Sequence, residues 1–386
     1  MKKSQLILMI ISAGILVVIS LILIKKDNKS WKRKGGIKTN LLSDSIDVNK
    51  INTLNFKDSN SSVSLEKKDG KWTVKERNNY PADFSKISTF VLKIKDLKVV
   101  DKINVGKKQL GRLQLLEPSD KEEKDKVGSI LELKDKNNKL IEKIIIGKMH
   151  HRKIEDSPFG REMPDGRYVM LDSKKEPVLV SETLFGVSSK PAMWLDNDFI
   201  KIKNVKSIEF KGSDKNENCL ITKENENDKF KIPELSEGKI ENQQTINSVL
   251  SALKSLTFKD VYPEQIKFKK GDKVKELNSI TVKTFDNFIY TIKIAEIDKK
   301  YIINIETQAN IAEKRIPNKN DKKEDLAKLD KEFELNKKLL KDKLNKEKDF
   351  SKWNYEISKY TAENLLKKKS NLISNVSKKE KSVKKK

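Results

Sequence analysis

Lys68-Asp69-Gly70-Lys71-Trp72-Thr73-Val74 sets an Asp-Gly pair between two segments of alternating polarity. The tightest hairpin turn needs positive φ at both central residues, which Asp and Gly tolerate, so this stretch predicts two antiparallel strands joined at 69–70. Upstream, Ile51-Asn-Thr-Leu54-Asn-Phe56 and Val63-Ser-Leu65 carry the same period of two. Downstream, Phe84, Ile87, Phe90, Val91, Ile94 and Leu97 recur at spacings of three and four behind Pro81 and Asp83, the one-sided stripe of a helix. Period two then returns through Ile130, Leu131 and Leu133, an Asp135-Lys-Asn-Asn138 turn, Ile144-Ile145-Ile146-Gly147 and Tyr168-Val169-Met170-Leu171. The expected unit is strands, helix, strands.

That order recurs. Val205-Lys-Ser-Ile208-Glu-Phe210 matches the strand from Ile51 to Phe56, and Asp228-Lys-Phe230-Lys-Ile232 stands where Trp72 to Val74 stood. Ile246, Val249, Leu250, Leu253 and Leu256 repeat the helix stripe, and Ile280, Val282, the Asp286-Asn287 turn, Ile289, Ile292 and Ile294 repeat the hairpin, with Tyr301-Ile302-Ile303 after it. The expected fold class is α+β: an N-terminal transmembrane helix, two homologous repeats that each lay one helix on an antiparallel sheet, and a helical, Lys-rich C-terminal tail. The expected boundaries are an anchor at 1–25, a linker at 26–44, repeats at 45–198 and 199–316, and the tail at 317–386.

The anchor rests on Leu6 to Ile24, nineteen residues without a charge. A helix of that length spans roughly 28 Å, enough for a hydrocarbon core. Its Leu, Ile and Val residues contribute on the order of −4 to −8 kcal/mol to insertion. The run is longer than the apolar core of a signal peptide and ends in Lys25-Lys26 rather than small residues, so it is expected to stay uncleaved. The lysines that follow it favour a cytoplasmic domain by the positive-inside rule, but lysine is abundant throughout, and a short basic leader before a long apolar run suits a signal anchor with the bulk of the chain outside.

The 386 residues carry a net charge of +26, with 83 basic side chains of which only seven are arginine. Nucleic-acid sites favour arginine, whose planar fork bonds bidentately, so no nucleic-acid partner is expected. The charge also sits at the ends: residues 1–38 hold +8 and 319–386 hold +10. Beyond Pro317, Leu326, Leu329, Phe333, Leu340 and Leu344 have helical spacing, and Trp353, Ile357, Tyr360, Leu365 and Leu366 suggest a second, basic helix before Lys384-Lys385-Lys386. Such a tail suits contact with anionic lipid, a cell-wall polymer or a partner helix, or simple solvation.

Candidate chemistry is sparse. His150 and His151 are the two histidines, and as neighbours on a strand they would face opposite ways. In the segment from Gly147 to Gly166 they could join Glu155 or Asp156, yet a catalytic zinc needs three protein ligands, and an exposed loop is the simpler reading. The single cysteine, Cys219, excludes an internal disulfide and fits an inert thiol at a strand edge. Glu122 and Glu123 sit among lysines that keep carboxylates ionised. No catalytic, cofactor-binding or metal residue is assigned, and no cofactor is expected.

These residues together resemble a bacterial family catalogued as domain of unknown function 4340. The likeness lies in Gly70-Lys71-Trp72, in Tyr80-Pro81-Ala82-Asp83 opening the helix, and in the turn from Gly111 to Pro118. It continues in the strand-ending Ile146-Gly147, in Tyr168-Val169, and in the link through Trp194-Leu195-Asp196 into Val205 to Phe210. The turn at Gly111 is wider than the family's, and the arginine expected after Trp194 is missing. The resemblance implies an extracytoplasmic envelope protein accompanying gliding-type ABC transporter components, and it implies no catalytic residues. The expected function is that of a single-pass, non-enzymatic accessory or scaffold with a protein partner in a transporter complex. The competing expectations are an envelope enzyme acting on glycan or peptide and, disfavoured by the scarcity of arginine, a membrane-bound nucleic-acid binder using the Lys-rich tail.

Overall fold

A computed structural model describes residues 39–42, 46–118, 123–153, 162–233, 235–263, 275–317 and 325–375. The expected span Leu6 to Ile24 lies outside these residues, and among them no helix is long and apolar enough to cross a membrane. The chain is mixed α+β with antiparallel sheets and few helices. It divides into two compact units, residues 1–64 with 85–189 and residues 65–84 with 190–386. The backbone therefore passes between units three times.

In the first unit the chain forms β1 (Thr53–Lys57) and enters β2 (Ser62–Lys68). After the excursion through 65–84 come helix α1 (Phe84–Lys95), β5 (Val99–Lys102), β6 (Ser129–Lys134), β7 (Leu140–Lys153), β8 (Glu162–Leu171) and β9 (Pro177–Val180). With β3 (Lys71–Val74) and β4 (Tyr80–Pro81) from the excursion, the sheet order is β4-β3-β2-β1-β6-β7-β8-β9-β5. The Asp-Gly turn forms as its chemistry requires, with φ 48° at Asp69 and 78° at Gly70. Helix α1 buries Ile87, Phe90 and Ile94 of the expected stripe, while Phe84 at its first position is exposed, and Phe90 meets Phe56 edge-on at 5.2 Å. Leu41 and Leu42, placed in the linker from sequence, are buried instead, because Asn40 bridges Lys98 and draws them onto the unit.

The turn after Gly111 explains two glycines. A 3-10 helix (Lys107–Leu113) ends at Gln114 with φ 56°, which drives Leu115 into a cluster with Ile145 and Met170. The turn lies so close to the sheet that a Cβ on Gly147 would stand 2.3 Å from the Leu113 carbonyl oxygen. A Cβ on Gly128 would stand 2.5 Å from that of Gln114. Only glycine permits this approach.

The second unit contains β10 (Val205–Gly212), β11 (Cys219–Thr222), β12 (Lys239–Glu241), helix α2 (Gln243–Lys254) and β13 (Asp260–Pro263). These are followed by β14 (Lys275–Thr284), β15 (Phe288–Ile297), β16 (Lys300–Ala309) and helix α3 (Leu326–Lys348). The chain closes with β17 (Trp353–Ile357), helices α4 (Lys359–Leu365) and α5 (Lys369–Leu372), and β18 (Ile373–Asn375). The main sheet runs β11-β10-β14-β15-β16-β17-β13, and β12 pairs separately with β18. Asn242 caps α2 by accepting a hydrogen bond from the Thr245 amide, and the helix buries Ile246, Val249, Ala252 and Leu253.

Two expectations change here. The residues from Trp353 to Ile357 form a strand rather than the start of a basic helix, inserted between β16 and β13 with Tyr355 fully buried. Residues 326–375 thus belong to the second unit, while Lys384 to Lys386 lie outside the described residues. Residues 228–232 form no strand, because Lys231 makes a single bridge to Thr222, with hydrogen bonds of 2.8 and 2.9 Å, before Pro233, which has no amide to continue a ladder.

Candidate functional site

His150 and His151 lie on β7 with a bulge between them, in a hairpin arm of β7 and β8 rather than a loop. His150 is half-buried. Its Nδ1 stands 2.5 Å from Oδ1 of Asp165, and its ring meets Tyr168 edge-on at 5.9 Å. His151 is exposed. The sequence reading missed Asp165, whose signal was its place directly before Gly166 on the returning strand, where Gly166 pairs with His150. Glu155, Asp156 and Glu122 lie outside the described residues, and Glu123 pairs with Lys126 at 2.8 Å on the surface. Among the described residues no three His, Cys, Asp or Glu side chains gather closely enough to hold a metal ion.

Cys219 opens the edge strand β11, buried beside a recess of about 190 Å³ bounded by Leu220, Pro233 and Lys369. Burial pushes its thiol pKa up, a stronger influence than the opposing charge of Lys369. The neutral thiol is a poor nucleophile.

A buried polar cluster lies under α3. Glu347 accepts a hydrogen bond of 2.8 Å from the Tyr290 hydroxyl, and burial raises its pKa above the usual carboxylate range, with Tyr290 and Lys343 partly opposing. Lys343 pairs with Asp286 at 3.1 Å and sits 3.9 Å from the centre of the Phe288 ring. These contacts fasten the last turns of α3 to β15, a structural use of charge.

The larger recess, about 320 Å³, is also in the second unit. Its apolar lining comes from Ile202, Val205, Phe230 and Leu250, and Lys203, Lys223 and Lys254 stand around it with Asn204, Asn227 and Glu226. It exists because three pieces of backbone diverge. Residue 202 donates its amide to the Leu253 carbonyl at the end of α2, and Asn204, at φ 52°, turns the chain into β10. The polar residues 223–229 then loop outward where β2 and β3 have a two-residue turn, while Phe230 folds beneath with 4% exposure. Lys223 stands 5.2 Å from the ring centre of Phe230 and 5.6 Å from that of Phe285. Sequence reading passed over these lysines because lysine is too common in this chain to mark a site. The informative signal was the long Asn- and Glu-rich loop in place of an Asp-Gly turn.

No curated protein and no solved structure matches the chain. The family model described as domain of unknown function (DUF4340) matches residues 72–279, from Trp72 through the turn packed on Gly147 and the 320 Å³ recess into β14. The match spans more than half of the 386 residues, and the chain belongs to the DUF4340 family.

Proposed function

We propose that this chain is a single-pass, membrane-tethered, non-enzymatic protein that carries two homologous α+β repeats outside the cytoplasm and serves as accessory or scaffold to an ABC-type export or surface-assembly system. One observation carries the tether: the uncharged run from Leu6 to Ile24, a length with no equal later in the sequence. The repeats are supported by strand order. The series β2-β1-β6-β7-β8-β9-β5 of the first sheet and β11-β10-β14-β15-β16-β17-β13 of the second have the same plan. In both, a helix follows the opening strands, after β4 in the first and after β12 in the second, and delivers the chain to the far edge. A duplicated surface of this kind suits binding a partner. The family resemblance supports the export setting.

A second reading, an envelope enzyme, is favoured by the His150–Asp165 pair, which resembles the oriented base of an acid–base site. Full-length protein should stay with membranes through a high-salt wash, and protease added outside spheroplasts should digest residues 39–386. A soluble product starting after residue 25 would overturn the tether. Replacing both histidines with alanine should leave the cellular phenotype intact. A lost phenotype at normal abundance and location would replace the scaffold by the enzyme.

A further inference from the structure

We propose that the 320 Å³ recess of the second unit binds a phosphate group carried on an apolar or sugar body. Lys203, Lys223 and Lys254 stand around one concavity, and among the described residues none has a carboxylate partner at ion-pair distance. Other lysines of the same unit do find one: Lys211 with Glu209 at 2.9 Å, Lys293 with Glu306 at 2.7 Å and Lys341 with Glu313 at 2.9 Å. Three ammonium groups around a cleft repel one another, and a bound anion relieves that repulsion. Glu226, which also lines the recess, sets one negative charge against the three positive ones.

The remaining charge suits a phosphate better than a carboxylate. A phosphate ester carries up to two negative charges, and lysine binds it as a point charge without the bidentate geometry of arginine. The head of Lys223 is held in place by the Phe230 and Phe285 rings and by donation to the Glu226 carbonyl, so little is lost in ordering it. Ile202, Val205, Phe230 and Leu250 offer the body of the ligand an apolar wall, in a volume at the lower end of small-molecule sites. The inference does not depend on the tether or on the export setting.

Acetylation of lysines in the full-length chain, followed residue by residue by mass spectrometry, tests it. Glycerol 3-phosphate should slow modification of Lys203, Lys223 and Lys254, while Lys293, which pairs with Glu306, reacts unchanged. Protection by this soluble ester identifies a soluble or polymer-borne phosphate. Protection only by micelles containing phosphatidylglycerol, and not by phosphatidylcholine, identifies a lipid headgroup. In either case Lys203→Gln with Lys254→Gln, both exposed positions, should weaken binding of the protecting probe about tenfold or more without altering the circular dichroism spectrum. Equal reactivity of all four lysines with and without both probes, or wild-type affinity in the double variant, overturns the proposal.

Discussion

Arg77 and Asp260, 183 residues apart, meet through two parallel contacts, Nε to Oδ1 at 2.6 Å and Nη2 to Oδ2 at 2.7 Å. The pair fixes the turn before β4 to the edge strand β13, and its hydrogen bonds raise the Arg77 pKa further. Both side chains are about four-fifths covered, so the pair is worth more than a surface ion pair. Arg77→Ala should cost about 1.5–3 kcal/mol in urea unfolding. Arg77→Lys should recover little, since an ammonium cannot span both oxygens.

Tyr80 should matter more. Its ring, 2% exposed, meets Trp353 edge-on at 5.0 Å, Phe258 at 5.8 Å and Tyr355 at 6.1 Å. Tyr80→Ala should cost about 3–5 kcal/mol by cavity formation, while Tyr80→Phe keeps the packing and should cost far less.

Alkali should unfold the second unit cooperatively. Burial is the main cause that raises the hydroxyl pKa of Tyr80, Tyr290 and Tyr355. A group whose folded pKa is raised stabilises below its unfolded pKa, and that contribution is lost as pH rises, here above about 10. Tyrosinate absorbance and circular dichroism should therefore change together; ionisation of these three with the fold intact would contradict their burial.

Glu347 acts the same way at lower pH. Its raised pKa means that its contribution is complete below about 4.3 and declines as pH rises through the folded value. Glu347→Gln, which keeps the shape and can still bond the Tyr290 hydroxyl, should flatten the pH dependence of the urea midpoint above the unfolded carboxylate pKa of about 4.3. An unchanged profile would show that Lys343 neutralises the carboxylate fully.

Gly147→Ala should destabilise the first unit strongly, because the added methyl meets backbone rather than a movable side chain, 2.3 Å from the Leu113 oxygen. The same substitution at Gly106, where nothing lies within 4 Å, should be nearly neutral.

Much of this fold was legible where one period stood alone. The stripe Ile87, Phe90, Ile94 fits a helix and nothing else, and Asp69-Gly70 fits a turn. Trp353 and Ile357 were misleading because a spacing of four satisfies both the helical period and two steps of a strand; Tyr355 between them decides for the strand. Burial there comes from neighbours remote in sequence, Phe199 at 4.5 Å and Phe258 at 5.3 Å, which local spacing does not reveal. The recess was hidden for a different reason: its lysines acquire meaning only from the carboxylates they lack, and pairing is a property of space.

The path of the backbone gives the molecule a clock. Residues 65–84 leave the ribosome early, yet Tyr80 finds Trp353 and Tyr355 only after about 270 more residues have been made. Until then an aromatic surface waits uncovered, and loops this long close slowly. A nascent chain stopped short of β17 should therefore be a target for chaperones and proteases, and the arrival of β17 decides when the protein becomes safe to leave alone.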